Sequence, residues 1–111
     1  MANIQVGKKR SFDATFTDSF GLPAYVQGDV TGSVTDNATI EGLANKLDSQ
    51  NRVIGATGFV RVTAIGAGQL QLTADGDRGD GVRSVTLVGD FVGIEGEAVG
   101  GTIIFGGTDE D

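Results

Sequence analysis

The sequence predicts an all-β chain folded as a two-layer sandwich of about seven strands. Three observations lead there. Glycine fills 19 of 111 positions and proline one, and glycine at that density penalises helices most. Apolar residues recur at every second position in most apolar segments, the pattern of a strand with one buried face. Turn residues punctuate these segments at intervals of roughly 8–15 residues, as short strands require. The length suits a single domain, and 39% hydrophobic residues supply one core.

Residues 1–10 allow two readings. Ile4 and Val6 are apolar and Lys8-Lys9-Arg10 are adjacent cations. The segment is either the domain's own edge strand or an arm that pairs with a partner's sheet edge, its cations steering it to an acidic surface. Ile4, Val6, Lys8, Lys9 and Arg10 are therefore the candidate partner-binding residues. The sandwich is expected over 11–106, followed by an acidic tail at 107–111. Phe12, Ala14 and Phe16 alternate with polar residues, and Asp18-Ser19-Phe20-Gly21-Leu22-Pro23 is a turn. Val30, Gly32 and Val34 mark the next strand, which Asp36-Asn37 ends. Thr39–Leu43 reads as a short strand. Ile40, Leu43, Ala44 and Leu47 also fall in helical phase, so one helical turn is allowed there, though Gly42 interrupts it. Asp48–Asn51 is a polar loop. Val60, Val62 and Ala64 share a face of the following strand, Gly66-Ala67-Gly68 reads as a tight connection, and Leu70, Leu72 and Ala74 give the clearest alternation in the chain. After a polar loop at 75–81, Val82–Ile94 is a long strand in which Gly89 marks a bulge. Thr102-Ile103-Ile104-Phe105 reads as the last strand.

Histidine, cysteine and tryptophan are absent, which removes imidazole bases, thiolate nucleophiles, disulfides and the common zinc ligands. Asp75 and Asp77 fit the first and third positions of a calcium loop, but Gly79 and Thr86 stand at the fifth and twelfth. Gly66-Ala67-Gly68 lacks the Lys-Ser/Thr of a phosphate loop. Arg78-Gly79-Asp80 reads as ordinary turn chemistry. Glu95 and Glu97 share one side of a strand with no expected cleft and no tryptophan platform for a sugar. No enzyme activity, cofactor or metal is expected. The formal charge is −7 and lies in the second half: residues 1–63 carry six basic and six acidic side chains, residues 64–111 two and nine. Such a surface repels nucleic acid. No run approaches the ~20 apolar residues of a membrane span, and the first residues lack the pattern of an export signal. The chain is expected to be soluble and made in the cytoplasm.

Val62-Thr63-Ala64-Ile65-Gly66-Ala67-Gly68-Gln69-Leu70-Gln71-Leu72-Thr73-Ala74-Asp75 resembles the signature of group-two bacterial immunoglobulin-like domains. In that signature a strand ending in V-T-A passes through a glycine turn into a second strand. The likeness extends to small immunoglobulin-like proteins encoded among phage structural genes. Their D-x-x-G-x-P-A element matches Asp18–Ala24, the end of their W-S-x-S-D strand matches Thr35-Asp36, and their G-E-A element matches Gly96-Glu97-Ala98. The order holds over residues 18–105. Gly32 or Ser33 stands near the family's core tryptophan, so Phe12, Phe16, Phe59 or Phe91 is expected to fill that space. The resemblance implies an immunoglobulin-like β-sandwich and a non-enzymatic virion protein of a tailed bacteriophage. A capsid decoration protein is the first expectation, made in the host cytoplasm and bound to the major capsid protein or other virion proteins, with a homo-oligomer allowed. A neck, tail or fibre subunit, or an adhesion module of a bacterial surface protein, is the alternative. No nucleic-acid or membrane partner is expected.

Overall fold

The computed structural model describes every residue except Arg78, Asp80, Glu97, Val99, Glu110 and Asp111, and the described residues form seven strands and no helix. The strands are β1 (Ala2–Gln5), β2 (Lys9–Thr15), β3 (Gln27–Val34), β4 (Ala38–Leu47), β5 (Val53–Val62), β6 (Gly66–Asp75) and β7 (Ser84–Ile94). One sheet has the order β1-β7-β6-β3 and the other β2-β5-β4. Lettered A to G in chain order, these are A-G-F-C and B-E-D. This is the immunoglobulin-like sandwich with its first strand moved to the sheet of C, F and G.

The period-two pattern decides which side of each strand faces inward. Leu70, Leu72 and Ala74 of β6 are buried, facing Ala56, Val60 and Val62 of β5 in the opposite sheet. Phe16, Val26, Val30, Ala38, Ile4 and Phe91 complete the buried core, with Phe12, Ile40, Val85 and Leu87 packed against it. Of the four candidate replacements for a core tryptophan, Phe16 and Phe91 are buried, Phe12 is half-buried and Phe59 lies at the surface, 38% exposed. Phe91 fits because Gly68 has no side chain: a Cβ there would collide with the ring. At Gly32 the inward space is taken by Ile40 and Leu43 of β4 and Leu72 of β6.

Several elements differ from expectation. β4 runs the full ten residues with no helical turn. Its register against β5 advances by three residues between Glu41 and Ala44 while β5 advances by two. Gly42, at a φ of +64°, takes up the extra residue. That bulge resets the alternation by one, which imitates helical phase in the sequence. β5 starts at Val53, seven residues before Val60, because its first half is built of small residues: Gly55, Ala56 and Gly58 are all buried. Gly66-Ala67-Gly68 opens β6, and the reversal occurs at 63–65. Gly89 is no bulge, since β6 and β7 pair without a break from Gly66↔Gly93 to Asp75↔Ser84.

The strand count of seven includes β1 and omits 102–105. Ala2–Gln5 lies parallel to β7, opposite Phe91–Ile94. Residues 102–105 form no strand, and Ile103, Ile104 and Phe105 are 86–91% exposed. A strand requires a paired neighbour, and this segment meets none within its own chain. The ordered sandwich ends at Ile94. The molecule measures 83 Å against 24 and 22 Å in the other directions, and its 20.6 Å radius of gyration exceeds the ~13 Å of a compact chain this long.

Candidate functional site

The β2–β3, β4–β5 and β6–β7 loops crowd one end of the sandwich. Phe16 donates its N–H to Ile54, Val26 donates to Val53, and Gln27 is paired with Asp75 at the mouth of the third loop. Aspartate organises each of them. The Asp18 carboxylate accepts the N–H groups of Phe20 and Leu22 at 2.8 and 3.1 Å. Asp48 does the same for Gln50 and Arg52 at 2.8 and 2.9 Å, and also accepts the Arg52 guanidinium at 2.8 Å. Asp75 accepts from Asp77 and Arg83. These are Asx turns, in which a short carboxylate replaces a backbone acceptor. The Asp48 carboxyl is held below its ordinary value, first by the Arg52 N–H and then by its side chain and the Gln50 N–H.

The β2–β3 turn repeats the bracing of the β4–β5 turn. Besides the two carboxylate bonds, the Asp18 N–H donates to Leu22, the Gly21 N–H donates to Asp18, and Thr17 bridges Pro23. Gly21 takes a φ of +80° to close the reversal. The bracing holds two apolar side chains in water: Phe20 is 86% exposed and Leu22 61%. Val82, in the β6–β7 loop, is also exposed. Tyr25 lies beneath the Arg52 guanidinium, 4.3 Å from its carbon to the ring centre, and a shallow depression between the two loops is lined by Asp18, Tyr25, Asp48 and Arg52. Sequence reasoning located the turn and missed its display of Phe20 and Leu22. The signal was two large apolar residues inside a turn motif.

The sequence-nominated residues lie at the opposite end and along the β2 edge. Ile4 is buried in the protein's own core, and Val6 is partly exposed, its N–H bonded to Ile94. Of the two readings of residues 1–10, the structure describes an edge strand. Lys8 is exposed in the turn after β1. Lys9 lies over the Phe59 ring at 4.4 Å and 3.8 Å from Glu41, and Arg10 donates to the Asn3 carbonyl at 3.1 Å. Arg61 binds Glu41 with two guanidinium nitrogens and holds its carboxyl below the usual range. The V-T-A corner is tied by Asn37, whose carbonyl accepts the Thr63 and Ala64 N–H groups and whose amide donates to Gly66 at 3.0 Å.

The side of the sandwich between β2 and β7 is open. β2 pairs only with β5, and β1 covers only the last four residues of β7. A cleft of about 130 Å³ there is bounded by Ile4, Phe12, Leu70 and Phe91. It continues into one of about 180 Å³ bounded by Ala14, Leu72 and Leu87. Gly89 lies in both and has no atom within 4 Å of where a Cβ would stand. The acidic β6–β7 loop spends its described carboxylates on its own backbone, and no three acidic side chains gather among the described residues. Of Arg78-Gly79-Asp80, the Arg and Asp lie outside the described residues, as does Glu97 of the Glu95–Glu97 pair and of Gly96-Glu97-Ala98. Among the described residues no helix is long and apolar enough to cross a membrane. Compared with family models, curated proteins and solved structures, the chain matches none.

Proposed function

We propose that this protein is a non-enzymatic structural component of a tailed bacteriophage virion, a capsid decoration protein bound outside the shell to the major capsid protein or a neighbouring virion protein. The observation that supports it is the braced β2–β3 turn, in which the D-x-x-G-x-P-A element holds Phe20 and Leu22 out in water. Exposed aromatic and leucine side chains on stiff backbone contribute nothing to folding and gain when a partner covers them. The stiffness lowers the ordering cost of that contact. The resemblance to phage-encoded immunoglobulin-like proteins supplies the biological setting, by analogy of motif order. A module that binds assembled subunits, and not separated ones, stabilises the assembly by mass action.

Mass spectrometry of purified virions should find the chain, and purified protein should rebind capsids stripped of it. Phe20→Ala with Leu22→Ala should abolish rebinding while shifting folding stability by no more than about 0.5 kcal/mol, as exposed substitutions do. Absence from virions, or rebinding that ignores the double substitution, would sink this reading.

A further inference from the structure

We infer that copies of this chain join head to tail, the segment Thr102–Phe105 of one copy lying as an added strand along the open edge of β7 in the next. This contact lies at the cleft, involves neither Phe20 nor Leu22, and stands whether or not the protein belongs to a virion.

The acceptor is an unfinished edge. β1 stops at the partner of Phe91, so Ser84–Asp90 carry no strand on that side. The side chains there leave a gap, because Gly89 faces inward with open space before it. Phe12, Leu70, Leu72 and Leu87 line the cleft that results. An open edge beside an apolar cleft is the receptor for strand addition, in which main-chain bonds hold the peptide and alternate side chains fill the cleft. The donor is in the same chain. Ile103 and Phe105 fall on one side of an extended segment, and both are almost fully exposed. Gly100-Gly101 and Gly106-Gly107 flank them as hinges.

Charge sets the direction. Arg10 lines the cleft at its Phe91 end, and Ala14 and Leu87 at its other end. Of the acids beside the cleft, Asp13 is paired with Lys46 and Asp90 accepts from Gln69. The sequence ends Asp109-Glu110-Asp111. A strand parallel to β7 delivers these carboxylates to Lys8-Lys9-Arg10, whereas an antiparallel one carries them away. Direction then decides whose tail enters. To run parallel along Ser84–Asp90, Thr102 must begin opposite Leu87 or earlier, at least about 23 Å back along β7 from Ile94. The eight steps from Ile94 to Thr102 reach about 26–29 Å only at full stretch, and a chain leaving Ile94 outward must reverse twice within them. Two turns of about two residues each leave the chain's own tail too short to cover that distance, and a second copy's tail is under no such limit. Such a contact is heterologous and propagates into rings or filaments.

The test is mass in solution, from about 1 μM to about 1 mM protein. The intact chain should grow from its 11.3 kDa monomer as concentration rises, while Ile103→Asp with Phe105→Asp stays monomeric. Gly89→Leu, which fills the cleft, supplies donors that cannot accept, and a chain truncated after Gly101 supplies acceptors that cannot donate. Each alone should be monomeric, and an equal mixture should stop at the dimer. The tail variants alter no residue of the sandwich, so their comparison with the intact chain decides even if Gly89→Leu folds poorly. An intact chain that stays monomeric throughout, growth that survives the tail substitutions, or a mixture of folded partners that forms no dimer overturns the inference.

Discussion

Gly42 and Gly89 are opposite uses of the same residue. Gly42 sits at a φ of +64° inside the β4 bulge, a conformation that costs an L side chain about 1–2 kcal/mol. Gly89 sits in a regular ladder with no atom near its missing Cβ. Gly42→Ala should therefore destabilise by about 1–2 kcal/mol, and Gly89→Ala should stabilise by about 0.4–1 kcal/mol through the unfolded chain. Chemical denaturation of the two variants checks both signs. The sequence alone suggested the reverse assignment, a bulge at Gly89 and none at Gly42, because a glycine's φ is set by pairing across the sheet. A second residue-scale expectation concerns acid. Asp48 and Glu41 are held below their ordinary values of 3.8 and 4.5, so the unfolded chain takes up protons at a pH where the folded one does not. Their stabilisation is complete above those ordinary values and is lost as pH falls through the lowered folded ones. Melting temperature should hold from neutrality to about pH 5 and decline below that. Asp48→Asn with Glu41→Gln should flatten the decline, and an unaltered slope would contradict the assignment.

At the scale of elements, legibility followed how much of a strand's environment is written locally. β6 could be read outright, since Leu70, Leu72 and Ala74 alternate with polar residues and all three are buried. The first half of β5 could not, because close packing there selects Gly55, Ala56 and Gly58 rather than large apolar residues. β1 is four residues long, and its partner lies about ninety residues away in sequence. The tail shows the converse: Ile103-Ile104-Phe105 has strong strand propensity and no partner in the chain. In the loop end, the β2–β3 turn was legible from Asp, Gly and Pro, while the exposure of Phe20 and Leu22 was not, since exposure is decided by what the rest of the fold leaves uncovered. Because Ile4 is 5% exposed, Ile4→Ala should cost about 2–5 kcal/mol. Deleting residues 2–5 should lower the melting temperature further. A deletion that melts like the intact chain would mean that β1 contributes nothing to the sandwich.

At the scale of the molecule, the two ends of the sandwich differ in kind. One presents three carboxylate-braced loops, and the other releases the chain beyond Ile94. An added contact at the cleft would leave Phe20 and Leu22 free, so binding at the loop end and growth through the tail should be separable by substitution. The placement of β1 also has a mechanical consequence. β1 runs parallel to β7, with Ala2 opposite Phe91 and Gln5 opposite Ile94. A pull on Met1 and on the segment after Ile94 in opposite directions loads that ladder along its length, so its hydrogen bonds resist in shear together and do not open one after another. Single-molecule pulling through the termini should meet a high force peak, and cutting the pair by deleting residues 2–5 should lower it. Tension transmitted along a row of such domains would be borne first by these four residue pairs.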